Sequence, residues 1–176
     1  MFKNFICSVL LLTFACIPTL ANSQESVRLG IPVTQADLLG FDLIAPPDGS
    51  GFPPGTGTAR EGKQIYDINC AVCHGASGEG TSGNTVIVGG DMQSEGPPLR
   101  TVGSYWPYAS TLFDFIRRAM PASAPKSLTS QQVYDVTAYV LYMNGIVEED
   151  TPINGETIRK IEMPNANGFI DRSHIQ

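Results

Sequence analysis

The sequence is poor in cysteine, histidine and basic residues, and each shortage narrows what the chain can do. Its 176 residues hold four Cys and two His, and 11 Lys or Arg stand against 17 Asp or Glu, for a formal net charge of -6. An acidic balance of this kind argues against nucleic acid or anionic lipid as a partner. Long apolar runs are also lacking. The unbroken stretch from Phe5 to Ala15 is well short of the roughly 20 residues a membrane-spanning helix needs, and no later segment could cross a bilayer. With Lys3 before it and Pro18 and Thr19-Leu20-Ala21 after it, this run has the layout of a secretory signal peptide, residues 1–21. A lipoprotein signal acylated at Cys16 fits less well, because Thr13 stands where such signals carry Leu. Cleavage after Ala21 removes Cys7 and Cys16 and leaves Cys70 and Cys73 alone. Two cysteines spaced three apart cannot staple a secreted domain with a disulfide framework, so they must act locally.

Glycine and proline are plentiful, and their distribution divides the rest of the chain. Residues 22–58 form a Gly/Pro-rich arm broken only by short apolar clusters such as Leu38-Leu39 and Leu43-Ile44. The expectation is an extended segment with a turn or two of helix, lying on the surface of another body. Residues 59–147 read as the folded core. Gly62, Ile65, Tyr66 and Asn69 recur at helical spacing in a predicted helix from Ala59 to Asn69 that runs into Cys70. Residues 75–108 carry many Gly and Pro and no long period, which in a compact domain suggests a loop wrapped around a ligand. A short helix is expected from Thr111 to Ala119, ended by Pro121 and Pro125. The next helix is capped by Ser127 or Thr129, carries Val133, Val136, Val140 and Leu141 at three- and four-residue steps, and stops at Asn144-Gly145. Residues 148–176 are a second, polar arm. There is no internal repeat and no alternation that would support a sheet.

The Cys70-Ala71-Val72-Cys73-His74 segment carries the chemistry. On a helix, at about 100° per residue, Cys73 and His74 lie roughly 300° and 400° around from Cys70, so all three point to one side. Two thiols so placed can add to the vinyl groups of a haem and aim the adjacent imidazole at the iron. A thioredoxin-like redox pair would need a βαβ context. A structural zinc site needs four Cys or His ligands, and the only further candidate is His174 at the far end of the chain. His174 is for the same reason a poor sixth ligand to haem iron. Methionine suits that role better, and Met92, Met120, Met143 and Met163 follow the signal. Met120 follows a helix and precedes Pro121, in a loop that can bring a thioether to the face opposite His74, although Met also serves as a core filler. His/Met coordination raises the reduction potential and leaves no open site, which suits electron transfer. Pro97-Pro98-Leu99 would suit a haem wall, Tyr105, Trp106 and Tyr108 could pack on the macrocycle, and Arg100, Arg117 or Arg118 could pair with the propionates.

The order helix, C-x-x-C-H-G, Pro-Pro-Leu, short helix, Met-Pro, helix resembles class I c-type cytochromes over residues 59–147. The resemblance implies an all-α fold of a few helices around one covalent haem c, attached at Cys70 and Cys73, with His74 and Met120 as axial ligands of the iron. A narrower resemblance, carried by TVGSYWPYASTLFDFIRRAMP, APKSLTSQQVYDVTAYVLYMNGIV, the Gly/Pro arm and the tail MPNANGFI, is to the cytochrome subunits of sulfite and sulfur dehydrogenases. It implies a periplasmic protein, not an enzyme by itself, that accepts electrons from a molybdenum-cofactor dehydrogenase subunit and passes them to a downstream cytochrome or oxidase. Some members carry a second haem domain, and this sequence holds a single C-x-x-C-H, so sulfite and protein-bound sulfur both stand as the partner's substrate. A diffusible electron carrier and a haem enzyme with a labile sixth ligand are the alternatives.

Overall fold

In the computed structural model, residues 30–41, 43–83, 85–170 and 172 are described. The proposed signal and His174 lie outside them. The chain divides into two units, residues 1–33 and 34–176. Of the first, residues 30–33 are described and contain no helix. The second is all-α: α1 (Gln35–Leu38), α2 (Ala59–Asn69), α3 (Ala71–His74), α4 (Ala109–Ala119), α5 (Ser130–Met143) and a 3₁₀ turn at Ile158–Lys160. An isolated antiparallel bridge pairs Gly57 with Ile153. None of these helices is long and apolar enough to cross a membrane.

Local chemistry explains the boundaries. Thr58 caps α2 by accepting from the Glu61 amide. Thr129 and Gln132 form a reciprocal capping box at the start of α5, so of the two expected caps Thr129 is the one used. Asn144 and Gly145, the latter at φ 67°, end α5 as expected. Helix α4 begins two residues before the expected Thr111. The Thr111 amide already donates to the Tyr108 carbonyl, so the first turn forms without a side-chain cap. One expectation needs correction: Cys70 to His74 do not lie on an uninterrupted helix. The backbone breaks at Cys70 (φ -121°, ψ -40°), and α3 restarts from it with the Cys73 and His74 amides donating to the Cys70 carbonyl at 3.1 and 2.9 Å.

The core sits between α2, α4 and α5. Helix α2 approaches α5 so closely at Gly62 that a Cβ there would lie 2.0 Å from the Asp135 carbonyl oxygen. On the same two helices, the Tyr66 and Tyr139 rings meet at a tilt of 57° with centroids 5.3 Å apart. Phe113 of α4 meets Tyr134 of α5 at 4.5 Å. Offset aromatic pairs of this kind add about 0.5–1.5 kcal/mol to the area they bury.

Both arms lie on the chain's own helices over much of their length, rather than wholly on another body. Phe52 packs on Phe113, the Ala45 amide donates to Asp114, and the Tyr134 hydroxyl donates to the Pro53 carbonyl. In the second arm Ile153, Ile158 and Met163 are buried in the same core. The arms also meet each other, Gly57 and Ile153 exchanging two backbone hydrogen bonds of 2.8 Å. The earlier part of the first arm differs, because Leu39, Phe41 and Ile44 are 77, 77 and 55 % exposed.

Candidate functional site

Helices α2 and α3, the loop after them, the end of α4 and the inner face of α5 enclose a cavity of about 370 Å³. That lies within the roughly 300–1,000 Å³ usual for small-molecule and cofactor sites. Cys70, Cys73 and His74 line it on one side, and Met120 and Pro121 line it as well. Trp106, Leu112, Ile116, Leu128, Val136 and Val140 make most of the remaining surface apolar. The four residues singled out from the sequence are thus brought to one cavity. The other methionines are not: Met163 is buried in the second arm, Met143 packs against the core, and Met92 is in the loop after α3.

The cysteines are free thiols. Burial pushes the Cys70 thiol up to about 11, with Cys73 beside it adding to the shift. Among the described residues no three His, Cys, Asp or Glu are placed to share a metal ion. The imidazole is held through its other nitrogen. His74 Nδ1 lies 2.8 Å from the Thr85 carbonyl oxygen. A carbonyl only accepts, so Nδ1 carries the proton and Nε2 is left with its lone pair for a metal. Tyr66, also lining the cavity, donates its hydroxyl to the Gly75 carbonyl at 2.8 Å, which pins the turn after His74. Thr81 Oγ1 donates to the Cys73 carbonyl at 2.9 Å.

This donor set fits a covalently held haem. Two reduced thiols, an imidazole with one free nitrogen and a thioether share a cavity whose other walls are mostly hydrocarbon. Val72 and Phe115, 78 and 42 % exposed, line it where it meets solvent.

The accessory expectations fare less evenly. Trp106 lines the cavity, while Tyr105 packs on Phe169 and Tyr108 is half exposed. Pro97-Pro98-Leu99 are not among the lining residues; Thr85, Ile87 and Val102 stand there instead. The three arginines do not line it either. Arg100 lies over the Tyr105 ring, Arg117 donates to the Leu43 and Gly51 carbonyls at 3.1 and 2.8 Å, and Arg118 pairs with Asp114. Sequence reasoning passed over Tyr66 as a site residue although it precedes Cys70 by one helical turn. It had no means of finding Thr85, which acts through its backbone.

Comparison with known proteins agrees with this geometry. The family described as cytochrome c oxidase, cbb3-type, subunit III, matches residues 57–140. A chain of the sulfane dehydrogenase SoxCD from Paracoccus pantotrophus superposes with a TM-score of 0.79 at 36% identity, covering 85% of this chain and 74% of that one. Thiosulfate dehydrogenases of Allochromatium vinosum and Psychrobacter arcticus are 32% identical over 85 residues and 30% identical over 108. Those stretches cover 46% and 55% of this chain and 29% and 31% of the two relatives, so the match spans about a third of their length.

Proposed function

This chain belongs to the c-type cytochromes, and we propose that it is the periplasmic haem subunit that takes electrons from a molybdenum-cofactor dehydrogenase acting on sulfite or another sulfur compound. The observation that carries this reading is the convergence of Cys70, Cys73, His74 and Met120 on one apolar cavity, in a chain that resembles most of a sulfane dehydrogenase chain. Cys70 and Cys73 would hold one haem c by thioether bonds, and His74 and Met120 would be the residues that ligate its iron. The bound group supplies a reversible one-electron change at iron. The protein's part is to hold and insulate it. The Thr85 carbonyl fixes the His74 tautomer, and the aliphatic wall keeps water from the metal. If His74 and Met120 both ligate the iron, no position would be left open, which favours electron transfer over chemistry on a bound substrate. The electrons leave to a downstream cytochrome or oxidase.

Purification under gentle conditions from the native host tests the partner. A molybdenum-containing dehydrogenase should co-purify in a fixed ratio to haem, and recovery as a free monomer alone would overturn the assignment. An optical spectrum tests the ligands separately: the oxidised protein should show the thioether-to-iron charge-transfer band.

A second reading, a diffusible electron carrier, is favoured by the packing of residues 45–58 and 149–163 on the cytochrome itself. It keeps the same haem and replaces the stable complex with brief encounters over a small interface. The exposed Leu39, Phe41 and Ile44 weigh against it.

A further inference from the structure

The Thr85 carbonyl that accepts from His74 belongs to a loop with no regular structure of its own. Two side chains hold that loop, one from the end of α5 and one from further along the same helix-free stretch. Asn144, the C-cap of α5, uses its whole amide. Its Oδ1 accepts from the Gly89 amide at 3.0 Å, and its Nδ2 donates to the Ile87 carbonyl at 3.3 Å and to the Val140 carbonyl at 2.9 Å. From the opposite side Thr101 Oγ1 donates to the Gly89 carbonyl. Gly89 thus has its amide held by Asn144 and its carbonyl by Thr101. The Ile87 amide is tied in turn to the Gly78 carbonyl at 2.9 Å, in the turn that follows His74. Gly103 makes room for the arrangement, since a Cβ there would fall 2.1 Å from Asn144 Oδ1.

We propose that Asn144 and Thr101 act as a clamp that positions the Thr85 carbonyl against His74 Nδ1, and so sets the orientation and basicity of the imidazole toward the iron. They are positioning residues, since neither lines the cavity. An Nδ1–H···O=C bond raises the ligand's basicity. A more basic imidazole stabilises the oxidised iron relative to the reduced. Loosening the clamp should therefore shift the equilibrium toward the reduced form. The inference rests on the reading of His74 as an iron ligand.

The test uses the holo-protein with Asn144→Leu, Asn144→Asp and Thr101→Val. Each is checked for covalent haem by haemochrome assay, then measured for midpoint potential and melting temperature. Arg60→Ala, which breaks an exposed ion pair with Asp150 and Glu149, serves as a control for lost stability. In Asn144→Leu, the reduced-to-oxidised ratio at fixed potential should rise by about three- to tenfold, the worth of one ordinary hydrogen bond. Asn144→Asp retains the acceptor and should move it less. Thr101→Val should move it in the same direction, and Arg60→Ala should not. If Asn144→Leu fails to accumulate, Thr101→Val decides. An unchanged potential in haem-loaded Thr101→Val or Asn144→Leu, or an equal shift in Arg60→Ala, overturns the clamp. A wild type without His-ligated covalent haem overturns the underlying reading instead.

Discussion

The Cys70–His74 wall of the cavity is fastened by the domain's own helices and the loop between them, whereas the Met120 wall leans on the N-terminal arm. On the first side, Tyr66, Thr81 and Thr85 tie the thiol- and imidazole-bearing segment to α2 and the loop after α3. On the second, Met120 is the C-cap of α4, and two basic side chains before and after it, neither lining the cavity, reach the arm. Arg117 holds the Leu43 and Gly51 carbonyls, and Lys126 reaches the Gly40 carbonyl at 3.3 Å and lies 5.4 Å over the Phe41 ring. The side that would carry the permanent bonds is thus built from the core. The side that would carry the exchangeable ligand is coupled to a segment with exposed apolar residues, where a partner's grip on the arm could be felt.

The largest expected effect separates the walls outright. Cys70→Ala with Cys73→Ala should abolish covalent haem, read as loss of haem stain on a denaturing gel. Met120→Ala should leave that stain intact while the charge-transfer band disappears and the midpoint potential falls, because the thioether is what raises it. A band surviving in Met120→Ala would break the comparison, since another group would then be the ligand.

The two walls also differed in how far the sequence disclosed them. The C-x-x-C-H wall is local, and five consecutive residues with a helical period before them placed it, apart from the backbone break at Cys70. Met120 was singled out by its position between two helices and lines the cavity, and the all-α fold and the ends of α2 and α5 followed from spacing and caps. What holds Met120 in place was not legible. Arg100, Arg117 and Arg118 stood as candidates for the propionates, because a motif shows charge but not direction; Arg100 lies over the Tyr105 ring, leaving Arg117 and Arg118. In the fold both point to other partners, one of them 74 residues away. The first arm was expected on another body because Gly/Pro-rich composition says nothing about which surface a segment meets.

A middle-sized prediction follows for Arg117→Met. It strands two carbonyl acceptors, and since the side chain is part-buried the loss should be about 1–2 kcal/mol, measured by urea denaturation. The charge-transfer band should fade at lower urea than the helical signal. Coincident loss of the two would mean that the arm and the Met120 wall are one cooperative unit with the core.

Tyr66→Phe is the matching change on the other wall. It removes the hydroxyl that donates to the Gly75 carbonyl, for about 1 kcal/mol. Its pH signature is distinct. Burial, first among the causes, holds the Tyr66 hydroxyl up to about 12 from an ordinary 10.0. The stability tied to keeping it neutral is fully present below pH 10, where folded and unfolded phenols are both protonated. It is lost as pH rises toward 12, because only the unfolded chain then releases the proton freely. Melting curves from pH 8 to 11.5 should show wild type and Tyr66→Phe converging as pH rises.

The smallest effect concerns Lys126, and it asks whether the outer arm contributes to the Met120 wall at all. Lys126 sits at φ 64°, a left-handed conformation that costs a non-glycine residue roughly 1 kcal/mol. Its contacts to Gly40 and Phe41 are exposed, and a cation over an aromatic ring at such a site contributes about 0.5–1 kcal/mol. Lys126→Ala keeps the strain and loses the contacts, so it should be slightly destabilising. Lys126→Gly loses the same contacts but relieves the strain, and should sit above Lys126→Ala by about the left-handed penalty, less the unfolded-state entropy of glycine. The band at Met120 is the sharper readout, because both substitutions free the arm equally. A band weakened to the same degree in both, despite their different stabilities, would mean that arm contact supports the thioether wall. A band that tracks stability instead would reduce Lys126 to a turn residue and leave the arm's hold on that side to Arg117 and to the Ala45–Asp114 and Phe52–Phe113 contacts.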